Sequence, residues 1–142
     1  MLSETFPKVT KYNLLVSSFS FLEQNLIEYY TVALEKFSIS QVVEKNGAYY
    51  YLKWFQENFD GLINQSLKKK FDDIRLLRNC IVHNNGKIEE GQFFNTRRVI
   101  ENSSSLSINQ FNEIMIDSEY IYESFEVISS FIKKIHRYIN NN

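Results

Sequence analysis

Cysteine is almost absent: the chain of 142 residues has one, Cys80. No disulfide can close within it, and no cysteine-based zinc cluster can assemble. Two histidines in all argue against a His-rich metal site, so no metal and no cofactor is expected. One proline and four glycines leave long stretches free to be helical, and they supply too few turn signals for a β-sandwich. No apolar run approaches the roughly 20 residues that span a bilayer. The polar stretch Met1 to Thr10, with Pro7 inside it, lacks the apolar centre of a signal peptide. These absences predict a soluble, cytoplasmic chain with no membrane partner. A charge excess is also missing, since the formal net charge is -1. Proteins that coat nucleic acid carry a basic excess, so any nucleic acid here must be held by a local cluster.

What is present suits one globular domain over residues 1–142. Hydrophobic residues make up 44% and aromatics 15%, which excludes disorder of the whole chain. From Thr10 to Phe37, the residues Leu15, Phe19, Leu22, Leu26, Tyr30, Ala33 and Phe37 recur at threes and fours, the mark of one helical face. The pattern stops at Ser38 to Gly47, where Asn46-Gly47 is a turn signal. A shorter helix follows from about Ala48 to Phe59, with Leu52, Phe55 and Phe59 inward. The next runs from about Asn64 to His83 on the stripe Leu67, Phe71, Ile74, Leu77 and Ile81, and Asn84-Asn85-Gly86 ends it. Lys87 to Ile116 is irregular; Ser103 to Ser105 reads as a loop, and the weak alternation of Phe111 to Ile116 suits a short hairpin. A last helix starts at Asp117 or Ser118, either of which can cap it, with Ile121, Phe125, Ile128, Ile132, Ile135 and Ile139 inward. The fold class is all-α: a bundle of four to five helices with an irregular insertion before the last one.

The chemistry concentrates between Asp72 and Gly86. At about 100° per residue, Asp72, Arg75, Asn79 and His83 share one side of the helix, and Arg78 lies between that strip and the apolar stripe. Histidine takes and gives a proton near neutral pH. Arginine stays charged and grips phosphate oxygens with a planar fork. Asparagine can orient either. This set suits attack of a ribose 2′-hydroxyl on its own phosphate, where charge builds on phosphoryl oxygens. Two-metal hydrolysis would need a carboxylate cluster that the sequence does not offer.

Arg78-Asn79 followed by His83, with Asn84-Asn85-Gly86 behind it, resembles the R-[polar]-x-x-x-H motif of HEPN domains (higher eukaryotes and prokaryotes nucleotide-binding). The order of helices is similar along most of the chain. The resemblance implies a HEPN-like helical bundle acting as a homodimer whose two motifs meet at a cleft. It further implies a metal-independent endoribonuclease of toxin–antitoxin or phage-defence type. RNA would be the substrate, and a cognate antitoxin or regulatory protein a partner. His83 would act as base or acid, Arg78 would stabilise the phosphoryl transition state, and Asn79 would position substrate or the His ring. One branch of the family carries a modifiable tyrosine two residues after the histidine. Here that position is Asn85, which puts such control in doubt.

Blander readings stand beside these. Arg78 can bond helix carbonyls or Asp72 and Asp73, and His83 can simply close a helix C-terminus. Lys68, Lys69, Lys70, Arg97 and Arg98, with Arg75, are candidates for RNA phosphate contact, yet Lys68 to Lys70 also suit pairing with Asp72 and Asp73. Tyr29, Tyr30, Tyr49, Tyr50 and Tyr51 read as packing aromatics, Cys80 as a buried inert thiol, and His136 as a helix-end cap. The rival to a nuclease is a non-catalytic interaction or nucleotide-binding module on the same bundle, which the near-neutral charge favours.

Overall fold

The computed structural model describes residues 7–142; the first six residues of the polar N-terminal stretch lie outside the described residues. Helix α1 (Lys8–Lys36) follows Pro7, whose fixed φ suits the entrance to a helix. It is 29 residues long, about 44 Å at 1.5 Å per residue. Its stripe Leu15, Phe19, Leu22, Leu26 and Ala33 is buried, as the periodicity predicts. Residues 38–47 form the irregular link. It is fastened by Trp54 Nε1 donating to the Gln41 carbonyl at 2.8 Å and by Val43 N–H donating to Tyr30 Oη at 2.9 Å.

Helix α2 (Ala48–Asn58) starts after Gly47, and Glu23 of α1 accepts the Ala48 N–H at 2.8 Å, which satisfies one of the orphan donors of a helix start. Helix α3 (Gln65–Asn84) is capped by Asn64, whose side chain accepts the Leu67 N–H at 2.8 Å. Rings tie the long helices together. Phe71 of α3 has ring centroids 5.6 Å from Phe19 of α1 and 5.7 Å from Phe131 of α5 (Ser118–Asn141).

The stretch 87–116 is more regular than the sequence predicts. It holds a further helix, α4 (Phe94–Glu101), which buries Thr96 and Ile100. Strands β1 (Leu106–Ile108) and β2 (Ile114–Ile116) then pair antiparallel, Leu106 opposite Ile116 and Ile108 opposite Ile114. Ile114 is fully buried, so the hairpin closes one end of the core. Among the described residues the chain is five helices with one two-stranded hairpin before the last, an all-α bundle as expected.

Two details of α5 differ from expectation. Asp117 stands at its N-cap but makes no side-chain cap bond; its carbonyl instead accepts the Tyr120 N–H at 3.0 Å. His136 does not cap the helix end, because its ring is held on both sides. Asn140 Nδ2 lies 2.9 Å from Nε2, and Tyr29 Oη lies 3.0 Å from Nδ1.

Candidate functional site

The motif sits on the last two turns of α3, and the exit from that helix is tightly built. Asn85 takes the left-handed conformation at φ 55° and Gly86 follows at φ 76°. The Gly86 N–H reaches back to the Cys80 carbonyl at 3.2 Å, the same carbonyl that accepts the Asn85 N–H, so the chain turns back on the helix end. Gly86 is also buried beneath Tyr12 of α1, whose hydroxyl donates to the Ile114 carbonyl at 2.6 Å. Asn84 Nδ2 donates to the Lys87 carbonyl at 2.7 Å. Asn84-Asn85-Gly86 is therefore a fixed corner joining α3 to the hairpin.

Arg78 is half-buried on the α1 side of α3, its guanidinium carbon 5.5 Å from the Phe19 ring centroid. Its Nη1 donates to Asn79 Oδ1 at 3.0 Å, so Asn79 orients the arginine and not the histidine. Arg78 Nε is buried and has no hydrogen-bond partner among the described residues. Neither Asp72 nor Asp73 pairs with Arg78 among the described residues. His83 is exposed one turn beyond Asn79, and among the described residues its side chain makes no hydrogen bond or ion pair. Five positions separate Arg78 from His83, which is about 140° around the helix and roughly 7.5 Å along it. The two side chains of one copy thus leave α3 in different directions.

Arg75 lies on the His83 side, one turn before Asn79. Its guanidinium carbon is 5.1 Å from the Tyr49 ring centroid, the approach of a cation to an aromatic face. Its Nε is buried without a hydrogen bond among the described residues and stands 3.8 Å from Asp72 Oδ1. Lys68 makes 2.7 Å bonds to both Asp72 oxygens and also faces Tyr49, at 5.3 Å. Lys69 pairs with Asp73 at 3.1 Å, while Lys70 is exposed. The surface-pairing reading therefore describes Lys68 and Lys69. Arg97 reaches the Ile88 and Glu89 carbonyls at 3.5 Å, and Arg98 is exposed beside Phe94.

The α3 strip thus brings together Lys68, Asp72, Arg75, Asn79 and His83, with Arg78 at its edge; Lys69, Lys70, Arg97 and Arg98 stand apart from it. Tyr49 is the participant that sequence reasoning did not claim. The only signal for it is its place in Tyr49-Tyr50-Tyr51 at the start of α2, since contact across helices leaves no spacing in the chain. Tyr51 is buried, and Tyr30 is spent on Val43 and on ring contacts with Tyr51 and Trp54, so these two pack. Cys80 is fully buried, and burial pushes its thiol up to about 11, the state of an inert thiol. Among the described residues no group of three His, Cys, Asp or Glu side chains is placed to hold a metal ion, and no helix is long and apolar enough to cross a membrane. No protein-family model matches the chain, and neither a curated protein nor a solved structure shows significant similarity to it.

Proposed function

We propose that the chain is a metal-independent endoribonuclease of HEPN type, cutting single-stranded RNA as a homodimer in a toxin–antitoxin or phage-defence setting. The observation that carries this reading is the contrast along α3. Arg78 is held in place by Asn79 and Phe19 yet keeps an unpartnered buried Nε, while His83 is exposed and unpartnered. An arginine fixed in advance loses little freedom when it grips phosphate. A solvent-facing histidine is free to exchange protons. Because Arg78 and His83 of one copy diverge, a single phosphate would meet both kinds of group most simply where two α3 helices face each other. His83 of one protomer would take the 2′-hydroxyl proton and that of its partner would protonate the leaving 5′-oxygen. Charge gathering on the phosphoryl oxygens would be met by Arg78, and Arg75 beside Tyr49 would hold a flanking nucleotide.

The test is to incubate purified protein with a mixed RNA pool in excess chelator and to analyse the product ends. Fragments ending in 2′,3′-cyclic phosphate and beginning with 5′-hydroxyl are expected. Intact RNA under every condition would favour the non-catalytic interaction module.

A further inference from the structure

A cavity of about 340 Å³ opens between α3, α4 and α5, on the side of α3 opposite the Arg75–His83 strip. Its apolar wall is Leu67, Ile74, Val99 and Val127. Its polar wall carries three carboxylates, Asp73, Glu123 and Glu126, against the two ammonium groups of Lys69 and Lys70. Lys69 already spends its charge on Asp73 at 3.1 Å, and that pair is exposed, with the Lys69 side chain at 73%. Glu123 and Glu126 make no ion pair among the described residues.

Tyr120 also lines this cavity. It is only 9% exposed, yet its hydroxyl makes no hydrogen bond among the described residues. The ring is buried but the hydroxyl is not shut off from solvent, so it faces the cavity open to a donor from outside the chain. Burial, with the nearby charges of Asp73 and Glu123, holds this phenol well above its ordinary pKa.

We propose that this cavity binds a small aliphatic ammonium compound, a diamine or polyamine, through Tyr120, Glu123 and Asp73. The ammonium donates to the Tyr120 oxygen and to the carboxylates of Glu123 and Asp73, displacing the exposed Lys69. The methylene chain lies along Ile74 and Val127, and Glu126 meets the second ammonium. A cavity of this size holds a chain of several methylenes. An anion of the same length finds the wrong sign.

Calorimetric titration of the full chain at low salt tests the assignment, with putrescine as probe and glutarate as the dicarboxylate control. Putrescine is expected to bind saturably, more weakly as salt is raised, and glutarate not at all. Tyr120→Phe is expected to leave the thermal midpoint unchanged, since the hydroxyl is open to solvent and has no partner among the described residues, and to weaken putrescine roughly five- to tenfold, the loss of one hydrogen bond. Glu123→Gln, a change at an exposed position, is expected to weaken it at least as much. His83→Ala is expected to bind putrescine as the parent does, which separates this site from the motif. The assignment is overturned by absence of saturable binding, by glutarate binding in its place, by full affinity in Tyr120→Phe, or by a lowered midpoint in that variant.

Discussion

Tyr12 closes over Gly86. The tyrosine crosses the last corner of α3 to reach the Ile114 carbonyl, and a Cβ on Gly86 would fall onto its Oη, Cζ and Cε2 atoms. Gly86 itself accepts the Ile114 N–H at 2.9 Å. One glycine thus joins the end of the motif helix, the start of α1 and the second strand.

Gly86→Ala is expected to be among the most damaging single changes in the chain. The left-handed φ of 76° costs a β-carbon about 1 kcal/mol, and overlap with a fixed ring adds about 1–3 kcal/mol. Urea unfolding measures the loss. Tyr12→Ala makes room for the new methyl, so the double variant should lose clearly less than the two single losses added together. Strict additivity would show that the contact is not the cause.

His83→Ala should abolish RNA cleavage while the thermal midpoint hardly moves. A proton-transfer residue contributes typically 10²–10⁴-fold to rate, whereas an exposed, unpartnered side chain at a helix end contributes little to stability. Initial rates in excess chelator and a melting curve settle both halves. An unfolded variant would return His83 to a structural role, and a requirement for metal would sink the proposed mechanism.

A mixed dimer distinguishes one shared cleft from two separate sites. If one phosphate needs the His83 of both copies, a dimer of parent and His83→Ala chains loses most of its activity, because groups acting as a unit are non-additive. Independent sites would leave about half of the parent rate. The measurement is the initial cleavage rate of dimers purified through two different tags. A rate near half refutes the shared cleft.

Alkaline pH should loosen the fold around the same corner. Burial, with the charges of Glu113 and Cys80, pushes the Tyr12 hydroxyl up to about 12, and burial pushes the Cys80 thiol up to about 11. Both groups keep their protons in the folded chain at pH values where the unfolded chain releases them. Their contribution is complete below the ordinary thiol value of 9.0 and is lost as pH rises towards about 12. Urea midpoints measured across that window should fall less steeply in Tyr12→Phe and Cys80→Ala than in the parent. Equal slopes in all three would remove the explanation.

The long helices were legible in the chain because each carries a stripe many turns long. Leu15 to Ala33 in α1 and Ile121 to Ile139 in α5 repeat often enough to fix a face. Helix α4 was not, because its eight residues bury only Thr96 and Ile100, a single spacing of four that proves nothing alone. Its start is set by Phe93 at φ 51°, a conformation that no pattern in the sequence announces. The strand Leu106–Ile108 was hidden likewise by the serines around it. In the candidate site, the strip from Asp72 to His83 could be read from helical spacing alone. The Phe19 ring under Arg78 and the Tyr49 ring beside Arg75 could not, because both come from other helices.

The row of rings Phe19, Phe71 and Phe131 bears on how α3 moves. Phe71 is the middle member, so α3 shares side chains with both of the longest helices, and it is closed at one end by Asn64 and at the other by Gly86. A segment tied in this way has no cheap route to open alone. Its amide hydrogens should exchange with solvent only when the whole bundle opens, while those of residues 38–47, fastened by Trp54 and Tyr30, should exchange through smaller local excursions. The strip from Lys68 to His83 would then act as a rigid template, and whatever binds it must do the bending.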